Sequence, residues 1–189
     1  MMKNVFEHSF AGHAAVFEGV RGMQADIQAA CDLVIESYKA GGTLLIAGNG
    51  GSAADAQHIA GELVGRFLKE RKALPAIALN TNSTIITAIG NDYSFDTVFA
   101  RQVSAFGKSG DVLIAITTSG TSPNVLRAAE VARELGMKVI GLTGASGGNL
   151  KDLCDLCLCV PSKETPRVQE MHILIAHIIC EITELALAD

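Results

Sequence analysis

Residues 43–67 read TLLIAGNGGSAADAQHIAGELVGRF, and the fold turns on how this stretch is read. A short apolar run meets a glycine-rich turn, and a helix-forming run follows. Gly48-x-Gly50-x-x-Ala53 fits the degenerate dinucleotide fingerprint, with alanine at the third glycine position. That fingerprint also needs an acidic residue where the next strand ends, to hold a ribose. The next strand-like run, AIALN, ends at Asn80 instead, so the dinucleotide reading fails. What remains is a set of backbone N–H groups at a helix N-terminus, which favours an anion or a polar ligand.

The same alternation continues on both sides. TLLIAG, AIALN, DVLIAIT, KVIGLTG and LCLCVP read as strands, and helical patterns fall at about 14–40, 52–67, 83–90, 95–106, 122–135 and 166–187. Strands apolar nearly throughout and separated by helices imply a parallel sheet covered on both faces. Right-handed crossovers then give a three-layer α/β/α sandwich around five parallel strands. No linker or repeat interrupts the 189 residues, so one domain is expected, with residues 1–40 as a helical extension used in oligomer packing.

Composition removes several function classes. Hydrophobic residues make up 49% of the chain, yet no run approaches the roughly 20 residues of a membrane span. The opening MMKNVFEHSF has no apolar core of a signal peptide, and a cytoplasmic location is expected. A net charge of −5 without a basic run argues against a nucleic-acid surface. Among five cysteines, Cys154, Cys157 and Cys159 share one strand-like run. Alternation along a strand sends neighbouring side chains to opposite faces, so these read as buried reduced thiols rather than a zinc site.

Two strands end in polar loops. Besides GNGGS there is TTSGTSPN, residues 117–124, with hydroxyls at Thr117, Thr118, Ser119, Thr121 and Ser122. Ser122 reads as the N-cap of the next helix and Pro123 as its first residue. Hydroxyls and free N–H groups at a helix start suit a phosphate, although such a loop also serves as an ordinary cap. On the helix after GNGGS, His58 and Glu62 stand four residues apart and share a face. They could ligate a metal, act as an acid/base couple, or simply decorate the surface. The last helix reads as capped by Thr165, with Pro166 in its first turn. It is apolar almost all round, which calls for burial on more than one side. His177, between Glu170 and Glu181, fits a polar stripe; Gln169 and His172 fit packed or hydrogen-bonded places at an interface.

GNGGSAADAQH, AIGNDYSFD, GDVLIAITTSGTSPNV, MKVIGLTG and VQEMHILIAH, taken together, resemble the sugar isomerase (SIS) family, whose sheet is flavodoxin-like. The likeness extends over nearly the whole chain. It is strongest to members that interconvert sedoheptulose 7-phosphate and D-glycero-D-manno-heptose 7-phosphate for bacterial cell-envelope glycans. The resemblance implies sugar contacts from Asn49, Gly50, Gly51, Ser52, Asn91, Asp92 and Gln169, and a phosphate held by Thr117, Thr118, Ser119 and Ser122. It implies Glu62 and His177 as catalytic groups, and a zinc ion held by His58, Glu62, Gln169 and His177. Where the family often has two adjacent glutamates, this chain has Gly61 and Glu62, and only the second matches the functional position. A homotetramer is also implied. Some family members are instead non-catalytic adaptors that bind the bacterial replication initiator, but these lack residues matching Glu62 and His177. A sugar-phosphate sensor of a transcription factor would need a DNA-binding segment, which residues 1–40 do not resemble. Gln169 and His177 are eight residues apart, roughly 12 Å along a helix, too far to meet easily at one ion. The expectation is therefore a site shared between subunits, with at least one of Gln169 and His177, His177 as first choice, reaching a site whose Glu62 belongs to another chain.

Overall fold

A computed structural model describes residues 2–188, with side chains from residue 4 onward. In chain order it runs α1 (Met2–Arg21), α2 (Gln24–Lys39), β1 (Leu44–Gly48), α3 (Gly51–Val64), β2 (Ala76–Ala78), α4 (Ser83–Asp92), α5 (Val98–Phe106), β3 (Val112–Ile116), α6 (Pro123–Glu134), β4 (Lys138–Thr143), β5 (Leu156–Cys159) and α7 (Thr165–Leu187). Short 3-10 turns at Phe95–Thr97 and Gly148–Leu153 precede α5 and β5. The five strands form one parallel sheet in the order β2-β1-β3-β4-β5.

The expected three layers are present, and their cause is visible in the central strands. Every residue of β1 and β3 is buried. Leu44 and Ile46 pack among α2, α3 and α7, while Leu45 and Ala47 pack among α4, α5 and α6. Covered on both faces, such a strand is apolar at each position. Each fully buried Leu or Ile there contributes about 1.5–3 kcal/mol. No helix among the described residues is long and apolar enough to cross a membrane.

Three details depart from the sequence reading. The single helix expected at 14–40 is two helices that begin near the start of the chain. They break at Gly22 and Met23, whose N–H groups turn back to the Gly19 and Val20 carbonyls. Gly19 is pressed against Pro161, where a Cβ would stand 2.5 Å from the ring, so α1 is anchored at the elbow. Buried Ile27, Ala30, Cys31, Val34 and Ile35 pack α2 into the core of the sandwich. The cap of α7 is Glu164 rather than Thr165, which is already helical.

The third departure concerns the cysteines. Cys31 and Cys180 are buried, but Cys154, Cys157 and Cys159 are only partly so. Positions 157 and 159 are two apart on a strand and therefore share a face, so alternation does not separate them.

Candidate active site

In an open parallel sheet the ligand crevice lies beyond the strand C-termini where the chain reverses its direction of winding. Here that point is between β1 and β3, whose last residues Gly48 and Ile116 are in register. The glycine loop leaves one strand and the hydroxyl loop leaves the other, so the topology places them side by side.

The glycines are required by shape. Gly50 caps α3 with φ +57°, a conformation that L side chains rarely adopt. A Cβ on Gly51 would stand 2.6 Å from the Gln169 amide nitrogen, which places the Gln169 side chain against the start of α3. Ser52 is buried, with its carbonyl and Cβ packed close against Gly48. Asn49 and Asn124 exchange two amide hydrogen bonds, of 2.8 and 2.9 Å, and tie the glycine loop to the first turn of α6. Asn124, 2% exposed, was not singled out in the sequence. Asn80, read in the sequence only as the non-acidic end of a strand, donates its Nδ2 to the Ala53 carbonyl at 2.8 Å, while its buried Oδ1 has no partner. Asn80 lines a cavity of about 270 Å3 with Asn49, Gly50, Gln57 and Phe95.

In the hydroxyl loop, Ser122 caps α6 with its carbonyl, while its side chain makes no capping bond. The Ser122 hydroxyl meets Thr117 Oγ1 at 2.8 Å, and Thr117 Oγ1 meets Ser119 Oγ at 3.3 Å. Three hydroxyls thus converge near a helix N-terminus, the donor arrangement an anion needs. Gly120, at φ +71°, holds this loop to the next one: a Cβ there would lie 2.1 Å from the Gly147 carbonyl oxygen. Asn91 and Asp92 end α4 on the exposed surface, where Asn91 Nδ2 donates to Asp92 Oδ1 at 2.8 Å. Among the described residues neither side chain bonds to either loop.

A second group of side chains lies further along α3. His58 Nε2 is 3.0 Å from Glu62 Oε1 and 3.1 Å from His177 Nε2. Phe67 stacks on the His177 ring, with centroids 5.5 Å apart and planes at 27°. His177 therefore meets the Glu62 of its own chain. The first choice, His177 reaching another chain's Glu62, is corrected, because packing of α7 along α3 brings the two helix faces together. Gln169, by contrast, lies two turns back beside Gly51 and does not join the three.

Ligand atoms from His58, Glu62 and His177 all lie within 4.8 Å of one another. A tetrahedral ion with bonds of about 2.0–2.1 Å sets its donors about 3.3–3.4 Å apart, so this nitrogen–oxygen–nitrogen set fits zinc with small shifts. The group is braced from behind. The Arg71 side chain, 1% exposed, donates to the carbonyls of Glu62 and Leu63 at 2.8 Å. Buried Glu184 of α7 accepts the N–H groups of Phe67, Leu68 and Lys69 at 2.6–2.8 Å, with Arg71 Nε 3.3 Å from its Oε2. Burial alone would raise the Glu184 carboxyl, but these three amides and the guanidinium hold it below the ordinary carboxylate range.

The five-stranded parallel sheet flanked by helices matches the fold of SIS domains. The SIS domain family model matches residues 10–144, and the chain belongs to that family. Within it, the chain is 58% identical over 163 residues to the phosphoheptose isomerase of Rhodospirillum rubrum, covering 86% of this chain and 87% of that one. It is 51% identical over 184 residues to the phosphoheptose isomerase of Aliarcobacter butzleri, covering 97% of each. Among solved structures, the phosphoheptose isomerase of Neisseria gonorrhoeae superposes with a TM-score of 0.93 at 40% identity, over 98% of this chain and all (100%) of that one.

Proposed function

We propose that this chain is an aldose–ketose isomerase that interconverts sedoheptulose 7-phosphate and D-glycero-D-manno-heptose 7-phosphate through an enediol(ate). The observation that carries the reading is the convergence of His58, Glu62 and His177 in a chain more than half identical to phosphoheptose isomerases. Nothing comparable favours the adaptor reading, since adaptors of that kind lack counterparts of Glu62 and His177.

The reaction removes a proton from C1 and delivers one to C2. Glu62 supplies the carboxylate that accepts the carbon-bound proton, and His177 moves a proton between the substrate oxygens. His58, bonded to both, sets their orientation, and Phe67 holds the His177 ring in plane. Thr117, Thr118, Ser119 and Ser122 receive the phosphate, and Asn49, Gly50, Gly51, Ser52 and Gln169 receive the sugar, with Asn91 and Asp92 from α4. Zinc held by His58, Glu62 and His177 would polarise the carbonyl and stabilise charge on the oxygens. Metal binding weakens Glu62 as a base, so its two roles compete.

The enzyme works as a cytoplasmic homotetramer with sites shared between subunits. Geometry supports the sharing in a revised form. Glu62 stands eleven residues beyond Gly51 on α3, about 16 Å along the axis. We read this separation as two halves of a site, with the loops of one chain serving the Glu62 and His177 of another. Exposed Val5, Phe6 and Phe10 on α1 supply apolar surface for such packing.

The activity is tested by incubating purified protein with sedoheptulose 7-phosphate in deuterated water and following the aldose by NMR; no aldose and no exchange at C1 overturns the reading. Sharing is tested by co-expressed hybrids. Glu62→Gln subunits mixed with Ser119→Ala/Ser122→Ala subunits should regain activity, whereas Glu62→Gln with His177→Ala should not. The reverse pattern would assign His177 to the neighbouring chain after all.

A further inference from the structure

Three sulfurs at the outer edge of the sheet take no part in the site described so far. The β4–β5 register sets Gly141 beside Cys157 and Thr143 beside Cys159, with β5 as the last strand. Cys157 and Cys159 share a face, and their sulfurs are 3.7 Å apart. Thr143 Oγ1 lies 3.6 Å from the first and 3.4 Å from the second. The missing side chain of Gly141 makes the room: a Cβ there would stand 2.6 Å from Cys154 Sγ and 3.1 Å from Cys157 Sγ. A groove of about 330 Å3 opens beside them, lined by Met23, Asp26, Lys151 and Pro161 together with Cys157 and Cys159.

Reactive cysteines sit in partly exposed, electropositive surroundings, whereas buried ones are inert. Cys31 and Cys180 are of the buried kind; this trio is not. Hydrogen bonding from Cys154 first, then from Thr143 and Cys159, with the Lys151 charge, brings the Cys157 thiol down to about 6 against the opposing effect of burial. The hydrogen bond to Cys157 pushes Cys154 up, and burial pushes Cys159 up. A cationic lysine beside the pair disfavours a bound cation. Among the described residues, the only three metal-ligating groups with mutually close donor atoms are His58, Glu62 and His177.

We propose that Cys157 and Cys159 form a peroxide-oxidisable dithiol, with Cys157 as nucleophile and Cys159 as the resolving thiol. The Cys157 thiolate attacks a hydroperoxide: an S–O bond forms, the O–O bond breaks, and the alkoxide or hydroxide that leaves takes up a proton. Sulfur is oxidised to the sulfenic acid, and the peroxide is reduced to an alcohol or water. Cys159 then attacks the sulfenic sulfur, forming S–S and breaking S–O, and its proton leaves with the hydroxide as water. Exchange with a reduced dithiol restores both thiols. Strand geometry sets the two Cα atoms about 6.6–6.8 Å apart, the upper end of what a disulfide spans. Closing the bond therefore draws in β5, which has a partner on one side only and can yield.

The test uses the full chain and hydrogen peroxide. After treatment and alkylation, the tryptic peptide 152–163 should lose two hydrogens with Cys154 still alkylated. Dimedone should label Cys157 in Cys159→Ser and label nothing in this peptide in Cys157→Ser. Iodoacetamide at pH 7 should modify Cys157 more than tenfold faster than Cys31. The proposal is overturned by a Cys154–Cys157 link, by dimedone on Cys154 or Cys159 instead, or by equal alkylation of Cys157 and Cys31 in protein with native circular dichroism.

Discussion

Replacing Glu184 by glutamine keeps the shape of the side chain and removes its charge. Oε1 now accepts Leu68 and Lys69, and Oε2 accepts Phe67 with Arg71 Nε 3.3 Å away. Glutamine has one acceptor oxygen, so two of the N–H hydrogen bonds survive at most, and its NH2 group must face another donor. Each charge-assisted hydrogen bond that breaks is worth about 1.5–3 kcal/mol. Breaking a buried ion pair from one side costs about 3–5 kcal/mol. We expect Glu184→Gln to lose about 3–5 kcal/mol, a large share of the roughly 5–15 kcal/mol of a native domain. In urea, with a slope of about 2 kcal/mol/M, the midpoint should fall by about 1.5–2.5 M. Turnover should fall as well, because the same carboxylate fixes the segment whose Phe67 stacks on His177. The lowered carboxyl adds stability above the ordinary carboxylate range that is lost as pH falls through its folded value, so the variant should lose less on acidification. A midpoint shift under about 0.5 M at unchanged slope would refute the reasoning. The ion pair would then contribute no more than its glutamine replacement.

Three other outcomes are expected. Glu62→Gln should keep substrate binding while turnover falls by about two orders of magnitude or more, measured by NMR together with metal content. Near-normal turnover removes Glu62 from the base role. Gly120→Ala combines a positive φ, costing about 1–2 kcal/mol, with a collision against the Gly147 carbonyl oxygen. It should lower the urea midpoint and raise KM more than it lowers kcat. His172 is fully buried, its Nε2 3.1 Å from the Thr143 carbonyl, and burial brings it down to about 4 despite that hydrogen bond. Its neutral form therefore contributes stability that is present above about 6.5 and lost as pH falls toward 4, about 3 kcal/mol in all. His172→Gln should flatten that stretch of the stability–pH curve; an unchanged slope refutes the assignment.

The sheet was legible because strands covered on both faces leave no room for polar residues, and β1 and β3 show it at every position. The break between α1 and α2 was not legible. Gly22 is tolerated inside a helical pattern, and the Pro161 that seats Gly19 lies far away in the chain. His58 and Glu62 could be paired from spacing within one helix. His177 could not be added to them, because its place depends on how α7 packs along α3. Asn124 and Phe67 fall inside quoted stretches, but nothing in their spacing, or in that of Asn80 and Arg71, shows a role, because each acts through a partner distant in sequence. The cysteines were legible in principle, since counting two along a strand puts Cys157 and Cys159 on one face.

The reciprocal amides of Asn49 and Asn124 make two distant positions a single unit of inheritance. Each side chain is both donor and acceptor for the other, and Asn124 is 2% exposed. Changing Asn49 alone strands buried polar groups on Asn124, at about 1–3 kcal/mol for each, whereas Asn49 is only partly buried and loses less when Asn124 changes. Changing both to a well-packed apolar pair can be nearly neutral for stability. Substitution at either place should therefore show strong sign epistasis with the other. The two loops, although 75 residues apart, are expected to drift in step.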